Sequence, residues 1–371
     1  MIIKTKEFQQ TCKSILGAVD TTTNATGSET LELIAEGKKL TLNVTNGEYF
    51  VSICSESVDS DDFKATVDAK LFLNLIDKLD TEQLELKVKD NSLLVKANGN
   101  YIIPMIFLDD KLLELKSITI DNVTNSFGIA AENLLSMLSY NTKEFSIDVP
   151  TKASHMLYYL DEQGCITYRQ GACVNNFYLE NPVKLVLNQK LVKLFKLFSK
   201  DGEVKFTLGQ DDDGGVIQTK VRFETSTTSI TAITLNDASL LASFPIKAIR
   251  GRADNTYKYT INLDRNLLIR VLERLSLFTP GTYGLAKDCA SFKFFKDNLI
   301  ISTLDEKNVE TVPYNNTEID GEYSCLLNIV NLKLILEGCT DQYITLHFGD
   351  GQAFVIARGN TKTVIPECRR G

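Results

Sequence analysis

The 371-residue sequence predicts an α+β fold of three repeated units, each with two helices backed by antiparallel sheet. Three observations point there: a helix-turn-strand segment recurring with one internal offset, a further helix ahead of each copy, and a closing strand behind it. The recurring segment starts at Val67, Leu187 and Leu327, so the copies begin 120 and then 140 residues apart. In each, a helix-period apolar run follows an Asp or Asn suited to cap it: Asp68, Asn188 and Asn328. An alternating strand then opens its inward set 17 residues after the segment start, at Leu84, Val204 and Ile344. The inward sets continue through Leu86 and Val88, Phe206 and Leu208, and Leu346 and Phe348.

The leading helices are expected over 6–19, 131–140 and 263–278, with strand-like runs and turn residues after each. Closing strands are expected at 100–110, 228–239 and 360–370. In the first helix Phe8, Cys12, Ile15 and Val19 share one face, opposite Lys6, Gln10 and Lys13. Over 188–200 the division is sharper. Leu191, Leu194, Phe195 and Phe198 form an apolar stripe, and Lys193, Lys196 and Lys200 stand behind it.

Composition narrows the function. At 43% hydrophobic and 24% charged residues the chain has the makeup of an ordinary globular protein. The N-terminus lacks an apolar run of signal-peptide length and no segment approaches a membrane span, so a soluble cytoplasmic protein is expected. The eight cysteines form no CxxC pair, which argues against a zinc knuckle or a disulfide framework. No GxSxG, P-loop or GxGxxG after a strand is present, so a non-enzyme without a cofactor is expected. The acidic runs Asp59-Ser60-Asp61-Asp62 and Asp211-Asp212-Asp213-Gly214-Gly215 lack an EF-hand's distal Glu and read as solvated turns, not metal sites. His347 alternates with Leu346 and Phe348 and reads as a surface residue.

Charge is unevenly placed. The net charge is −8, so a nucleic-acid contact must be confined to one surface. The six helical segments together carry +4, all of it matched by the +4 on 188–200, which leaves −12 for the rest of the chain. That distribution suits phosphate-backbone contact through helices and repulsion elsewhere. The candidate DNA-facing cations are Lys6, Lys13, Lys70, Lys190, Lys193, Lys196, Lys200, Arg270, Arg274 and Lys333.

Three units of helix, strands, helix and strands with basic helices and an acidic remainder resemble the bacterial DNA sliding clamp, the DNA polymerase III beta subunit family, along the whole chain. Local echoes are Phe244-Pro245 at the start of the connector into the third unit, the hydrophobic-Pro ending Val364-Ile365-Pro366, and the helix LLIRVLERLSLFTP from Leu267. The resemblance implies clamp domains at 1–120, 121–248 and 249–371. It implies a non-catalytic replication processivity factor, nucleoid-associated, in which two chains close head to tail into a ring around double-stranded DNA. It also implies a pocket for a short peptide motif of the polymerase and clamp loader, walled here by Gly171, Val174, Pro245, Arg250, Val364, Ile365 and Pro366. The homodimer seam would join Tyr101 and Ile103 to Leu277 and Phe278. The chain departs from the family at Gln170-Gly171-Ala172-Cys173-Val174, where the usual His and Arg are missing, and at Glu367, which replaces an apolar residue. These departures imply a shifted peptide preference, of the kind a divergent phage-encoded member would show.

Two other classes fit the residues less fully. A β-rich scaffold that binds proteins and has no DNA role would share the repeats but not need the lysine stripe. An enzyme would have to assemble its groups from distant positions.

Overall fold

In the computed structural model, which describes residues 1–22, 25–138, 157–168, 172–234, 242, 245–279, 288–314, 319–339, 341–349, 352–359, 361–365 and 367–368, the three expected caps all start helices. The Asp68 carboxylate accepts from Leu71 N at 2.6 Å, Asn188 Oδ1 from Leu191 N at 2.7 Å, and Asn328 Oδ1 from Asn331 N at 2.9 Å. Among the described residues there are seven α-helices: α1 (Thr5–Leu16), α2 (Ala69–Asp77), α3 (Ala131–Ser136), α4 (Gln189–Leu194), α5 (Ile246–Ala253), α6 (Arg265–Ser276) and α7 (Ile329–Glu337). A 3-10 turn, Phe195–Phe198, continues α4. None of these helices is long and apolar enough to cross a membrane.

Compactness groups the chain into two units that cut across its sequence repeats. The first comprises Met1–Leu135 and Lys193–Thr234, the second Ser136–Val192 and Leu235–Gly371. In the first, an eight-stranded sheet runs in the order Val123–Ala130, Glu203–Asp213, Val216–Glu224, Thr228–Ile233, Tyr49–Glu56, Lys39–Thr45, Thr30–Glu36, Phe63–Asp68. Its continuity depends on one long-range antiparallel pairing, from Thr228 opposite Ile53 to Ala232 opposite Tyr49. A four-stranded sheet, Ile2–Lys4, Gln83–Lys89, Ser92–Lys96, Asn100–Pro104, completes the unit.

The second unit repeats the arrangement. Its eight strands run Lys184–Asn188, Leu157–Asp161, Gly164–Tyr168, Ala172–Asn176, Thr361–Ile365, Gln352–Arg358, Tyr343–Gly349, Tyr259–Asp264. The join lies between Ala172 and Val364 and between Asn175 and Thr361. Its four-stranded sheet runs Val309–Pro313, Asn298–Ser302, Cys289–Phe294, Tyr323–Asn328.

The apolar periodicity explains the cores. Leu84, Leu86, Val204, Phe206, Ile344, Leu346 and Phe348 are all buried, as their alternation requires. Phe8 of α1 meets Phe72 of α2 edge-on with ring centroids 6.2 Å apart, and Phe195 meets Phe223 at 4.8 Å. In the second unit Phe294, Phe348 and Phe354 form the centre of the core under α6 and α7.

Several local features go against or beyond expectation. Asp211, read as part of a solvated turn, is buried in the strand Glu203–Asp213 and paired with Lys220. The strand foreseen over 100–110 stops at Pro104, and a two-stranded hairpin follows, Phe107–Leu108 with Lys111–Leu112. Asp109 and Asp110 supply its left-handed turn, with φ of 49° and 59°. The connector after Pro245 is helical. His347 is half-buried, its Nδ1 2.9 Å from the Thr260 hydroxyl, and is not a free surface histidine.

Candidate nucleic-acid interface and partner pocket

In the first unit α1 and α2 form a stapled pair. Gln9 Nε2 donates to Ile76 O at 2.9 Å and to Leu79 O at 2.7 Å, so a side chain of α1 satisfies carbonyls at the end of α2. Lys13 Nζ lies 2.8 Å from Asp77 Oδ1. Lys13 is therefore ion-paired while remaining exposed. Lys6, Lys70, Lys193 and Lys196 are exposed and make no ion pair among the described residues. Lys200 is exposed too, 3.5 Å from Gln10 Oε1 on α1, which brings the end of the lysine stripe beside the first helix. The stripe is set by its buried side: Leu194, Phe195 and Phe198 are almost inaccessible, which forces Lys193, Lys196 and Lys200 outward. Lys190 is also exposed.

In the second unit Arg265 of α6 donates to Leu336 O at 3.2 Å and to Cys339 O, at the end of α7. Asp264 caps α6 by accepting from Leu267 N at 2.8 Å. Of the cations expected here, Lys333 bridges Glu273 at 3.2 Å and Glu337 at 3.6 Å, and Arg274 pairs with Glu310 through bonds of 2.5 and 2.8 Å. The guanidinium holds the Glu310 carboxyl below the usual carboxylate range. Arg270 is exposed and without an ion pair among the described residues. Of the ten expected cations, Lys13, Lys333 and Arg274 are tied to carboxylates, and Lys13 and Arg274 stay exposed all the same. Gln9, Arg265 and Asp264 escaped sequence reading, because only the fold brings the first two to their acceptors.

The pocket residues divide similarly. Val174 and Val364 share an apolar cluster with Ile166 and Val355 on the sheet and Ile249 and Ala253 of α5, flanked by half-buried Ile246 and Tyr257. Both valines are covered, at 1% and 4% exposure, so they are the floor under α5 and not an open wall. Ile365 is corrected: it belongs to the core under α6 and α7, because neighbouring strand residues face opposite sides of the sheet. Arg250 is corrected as well. Its guanidinium is engaged by Asp161, with bonds of 2.7 and 2.5 Å, and so is not an open pocket wall. Pro245 is exposed at the start of α5. Gly171 and Pro366 lie outside the described residues, as do Phe244 and His155.

At the expected seam Leu277 and Phe278 are 71% and 59% exposed, just past α6. Tyr101 is half-buried. Ile103 is corrected: it is 2% exposed and faces inward, whereas its neighbour Ile102 is 70% exposed on the outer side. The strand carrying it, Asn100–Pro104, is an edge of its sheet, and Val309–Pro313 is an edge in the second unit. The opposite edges are partly covered, since Val58 N donates to Ile2 O and Cys368 N to Leu326 O, both at 2.8 Å.

The helix pairs α1 with α2 and α6 with α7 thus accompany antiparallel sheets along one chain. Comparison with known proteins shows what this fold resembles. Residues 1–119 match the family model of the DNA polymerase III beta subunit, N-terminal domain. The full chain is similar to the DnaN sliding clamp of Pseudomonas aeruginosa bound to griselimycin, with a TM-score of 0.80 and 15% identity, covering 100% of this chain and 99% of that one. The DNA polymerase III beta subunit of Thermotoga maritima gives 0.76 at 13% identity, and the beta chain of Streptococcus pneumoniae 0.76 at 12%, each with the same coverage. No curated protein matches the sequence. The chain has the bacterial sliding-clamp fold over its whole length, and its residues 1–119 are matched by that family's N-terminal domain.

Proposed function

We propose that this chain is a DNA sliding clamp, a non-catalytic processivity factor of replication that encircles duplex DNA and tethers the polymerase. The observation that carries the reading is the sliding-clamp fold across the full length, joined to the family match over residues 1–119. Two chains close head to tail into a homodimeric ring, with three domains in each at about 1–120, 121–248 and 249–371. The seam lies between the edge strands Asn100–Pro104 and Val309–Pro313 of the two four-stranded sheets. Ile102 on Asn100–Pro104 meets Leu277, Phe278 and the edge strand Val309–Pro313 of the second copy, a heterologous contact that closes after two copies. The Arg274–Glu310 pair supports this placing, because it fixes α6, and so Leu277 and Phe278, beside that edge strand.

DNA contact falls to the exposed helix cations Lys6, Lys70, Lys190, Lys193, Lys196, Lys200 and Arg270. They neutralise phosphate without reading sequence. The polymerase and clamp loader bind by a short apolar peptide at the margin of α5, around Pro245, Ile246 and Tyr257. The test is solution mass with particle imaging, followed by retention on circular against linear DNA. A dimeric ring that stays on closed circles and slides off linear ends is expected. A monomer, or equal retention on both DNAs, would leave the fold and remove the clamp reading.

A further inference from the structure

The least expected contact in the second unit is the one that occupies Arg250. Its Nη1 donates to Asp161 Oδ2 at 2.7 Å and its Nη2 to Asp161 Oδ1 at 2.5 Å, the two-pronged geometry that suits a guanidinium to a carboxylate. Both side chains are well covered, at 17% and 6% exposure. Asp161 Oδ1 also accepts from Gln163 N at 2.9 Å, which fixes the carboxylate in the turn after the strand Leu157–Asp161. The next strand, Gly164–Tyr168, carries Ile166, part of the apolar floor on which α5 rests. Arg250 therefore links the middle of α5 to the sheet beneath it. A second tether is more exposed: Lys362 Nζ lies 2.8 Å from Asp254 just beyond the helix.

Resting on the pocket reading above, we propose that Arg250 and Asp161 form a positioning pair that holds α5 against the sheet, and that Arg250 does not itself bind the partner peptide. A peptide carboxylate reaching Arg250 would have to displace Asp161 and leave that buried carboxylate unpaired, which is unfavourable. Acidic groups on a partner meet Lys247 and Arg252 instead, both exposed on the same helix. Selectivity at this site then combines an apolar anchor beside Ile246 and Tyr257 with a basic rim from Lys247 and Arg252.

The two roles for Arg250 predict different mutational patterns. In the full-length protein, Arg250→Ala, Asp161→Ala, the double variant and Arg250→Lys are compared by amide hydrogen exchange of α5. They are also compared by fluorescence anisotropy with a labelled five-residue peptide of apolar residues and one carboxylate, the chemistry this site offers. A positioning pair makes both single variants exchange faster in α5 and bind the peptide roughly tenfold more weakly, while the double variant is no worse than either single one. Arg250→Lys, which keeps the charge but loses the fork, recovers part of both and serves as the readout if an alanine variant fails to fold. If Arg250→Ala weakens binding while Asp161→Ala does not, Arg250 is a direct peptide contact and the proposal falls. Tighter binding in both single variants would make α5 a lid, which also overturns it, and so would α5 exchange that none of the substitutions alters. Faster exchange in the variants, together with no peptide binding by the unmodified chain, would keep the positioning pair and remove the pocket reading.

Discussion

Charging the proposed seam gives the largest expected effect. Phe278 is 59% exposed and stands outside the apolar core under α6 and α7, so Phe278→Glu leaves that core intact. An aromatic side chain offers about 150–250 Å² of surface, so covering the exposed part of Phe278 removes about 90–150 Å² from water. At about 25 cal/mol per Å² that is about 2–4 kcal/mol for each seam. A ring of two chains has two seams, so the dimer as a whole loses about 4–8 kcal/mol. At about 1.4 kcal/mol per decade, the dissociation constant rises by about three to six orders of magnitude, before the cost of burying the new carboxylate is counted. Sedimentation velocity over a concentration series measures this directly, with the melting temperature as a check on folding. Ile102→Glu, on the opposite face of the contact, should act alike, and Phe278→Ala should show the apolar part alone. If Phe278→Glu leaves both the dimer constant and the melting temperature unchanged, the seam lies elsewhere and the area argument is wrong.

Other expectations are smaller and separable. Replacing Lys193, Lys196 and Lys200 by Ala should flatten the salt dependence of DNA retention by about 0.9 in log-log slope for each phosphate no longer neutralised, and an unchanged slope would remove the stripe from the DNA face. Asp264→Ala, which deletes the α6 cap, should cost about 1 kcal/mol in denaturant unfolding. Asp211 accepts from Asn122 N at 2.8 Å and Asp121 N at 3.1 Å and pairs with Lys220 at 2.9 Å. With Lys220 first among the causes, its carboxyl is held below its ordinary value of 3.8. Its contribution to stability is therefore fully present above that value and lost as pH falls through the lower folded one. Melting at pH 6 and at pH 3 should show a drop that Asp211→Asn, already lacking the charge, shows less of.

What could be read from the sequence was what is local. A cap and its helix lie within four residues, and a strand's inward set lies within five, so Asp68, Asn188, Asn328 and the sets from Leu84, Val204 and Ile344 were all visible. Apart from the Asp264 cap, which was missed although it is as local as the other three, what was missed is non-local or locally silent. The pairings of Thr228 with Ile53 and of Ala172 with Val364, which weld thirds of the chain into common sheets, leave no trace in either strand alone. The partners of Lys13 and Arg274, Asp77 and Glu310, are likewise distant in sequence. Two errors share one cause. In Tyr101-Ile102-Ile103 and in Val364-Ile365 the residues are all apolar, so alternation cannot say which one faces the core, and a shift of one residue exchanges the faces. The helix α5 is short and begins after a proline, and its apolar contacts with Val174 and Val364 exist only after the sheet has formed.

The two helix pairs bear on how such a ring would move along DNA. In each pair, polar side chains of the leading helix close off the carbonyls ending the second one, Gln9 of α1 for α2 and Arg265 of α6 for α7. Ion pairs at Lys13, Lys333 and Arg274 then hold the helices in place. Those charges are already satisfied, and a phosphate would have to compete with a carboxylate a few ångströms away. The proposed DNA contacts are exposed residues, mostly lysines, whose single ammonium groups act as point charges and not as two-pronged clamps. At physiological salt, where screening acts over about 8 Å, such contacts would be weak and easily exchanged from one phosphate to the next. Retention of the proposed ring would then depend on its closed seam rather than on grip. Opening the ring with Phe278→Glu should therefore abolish retention on circular DNA, while removing the lysine stripe should change only its salt dependence and the rate of sliding.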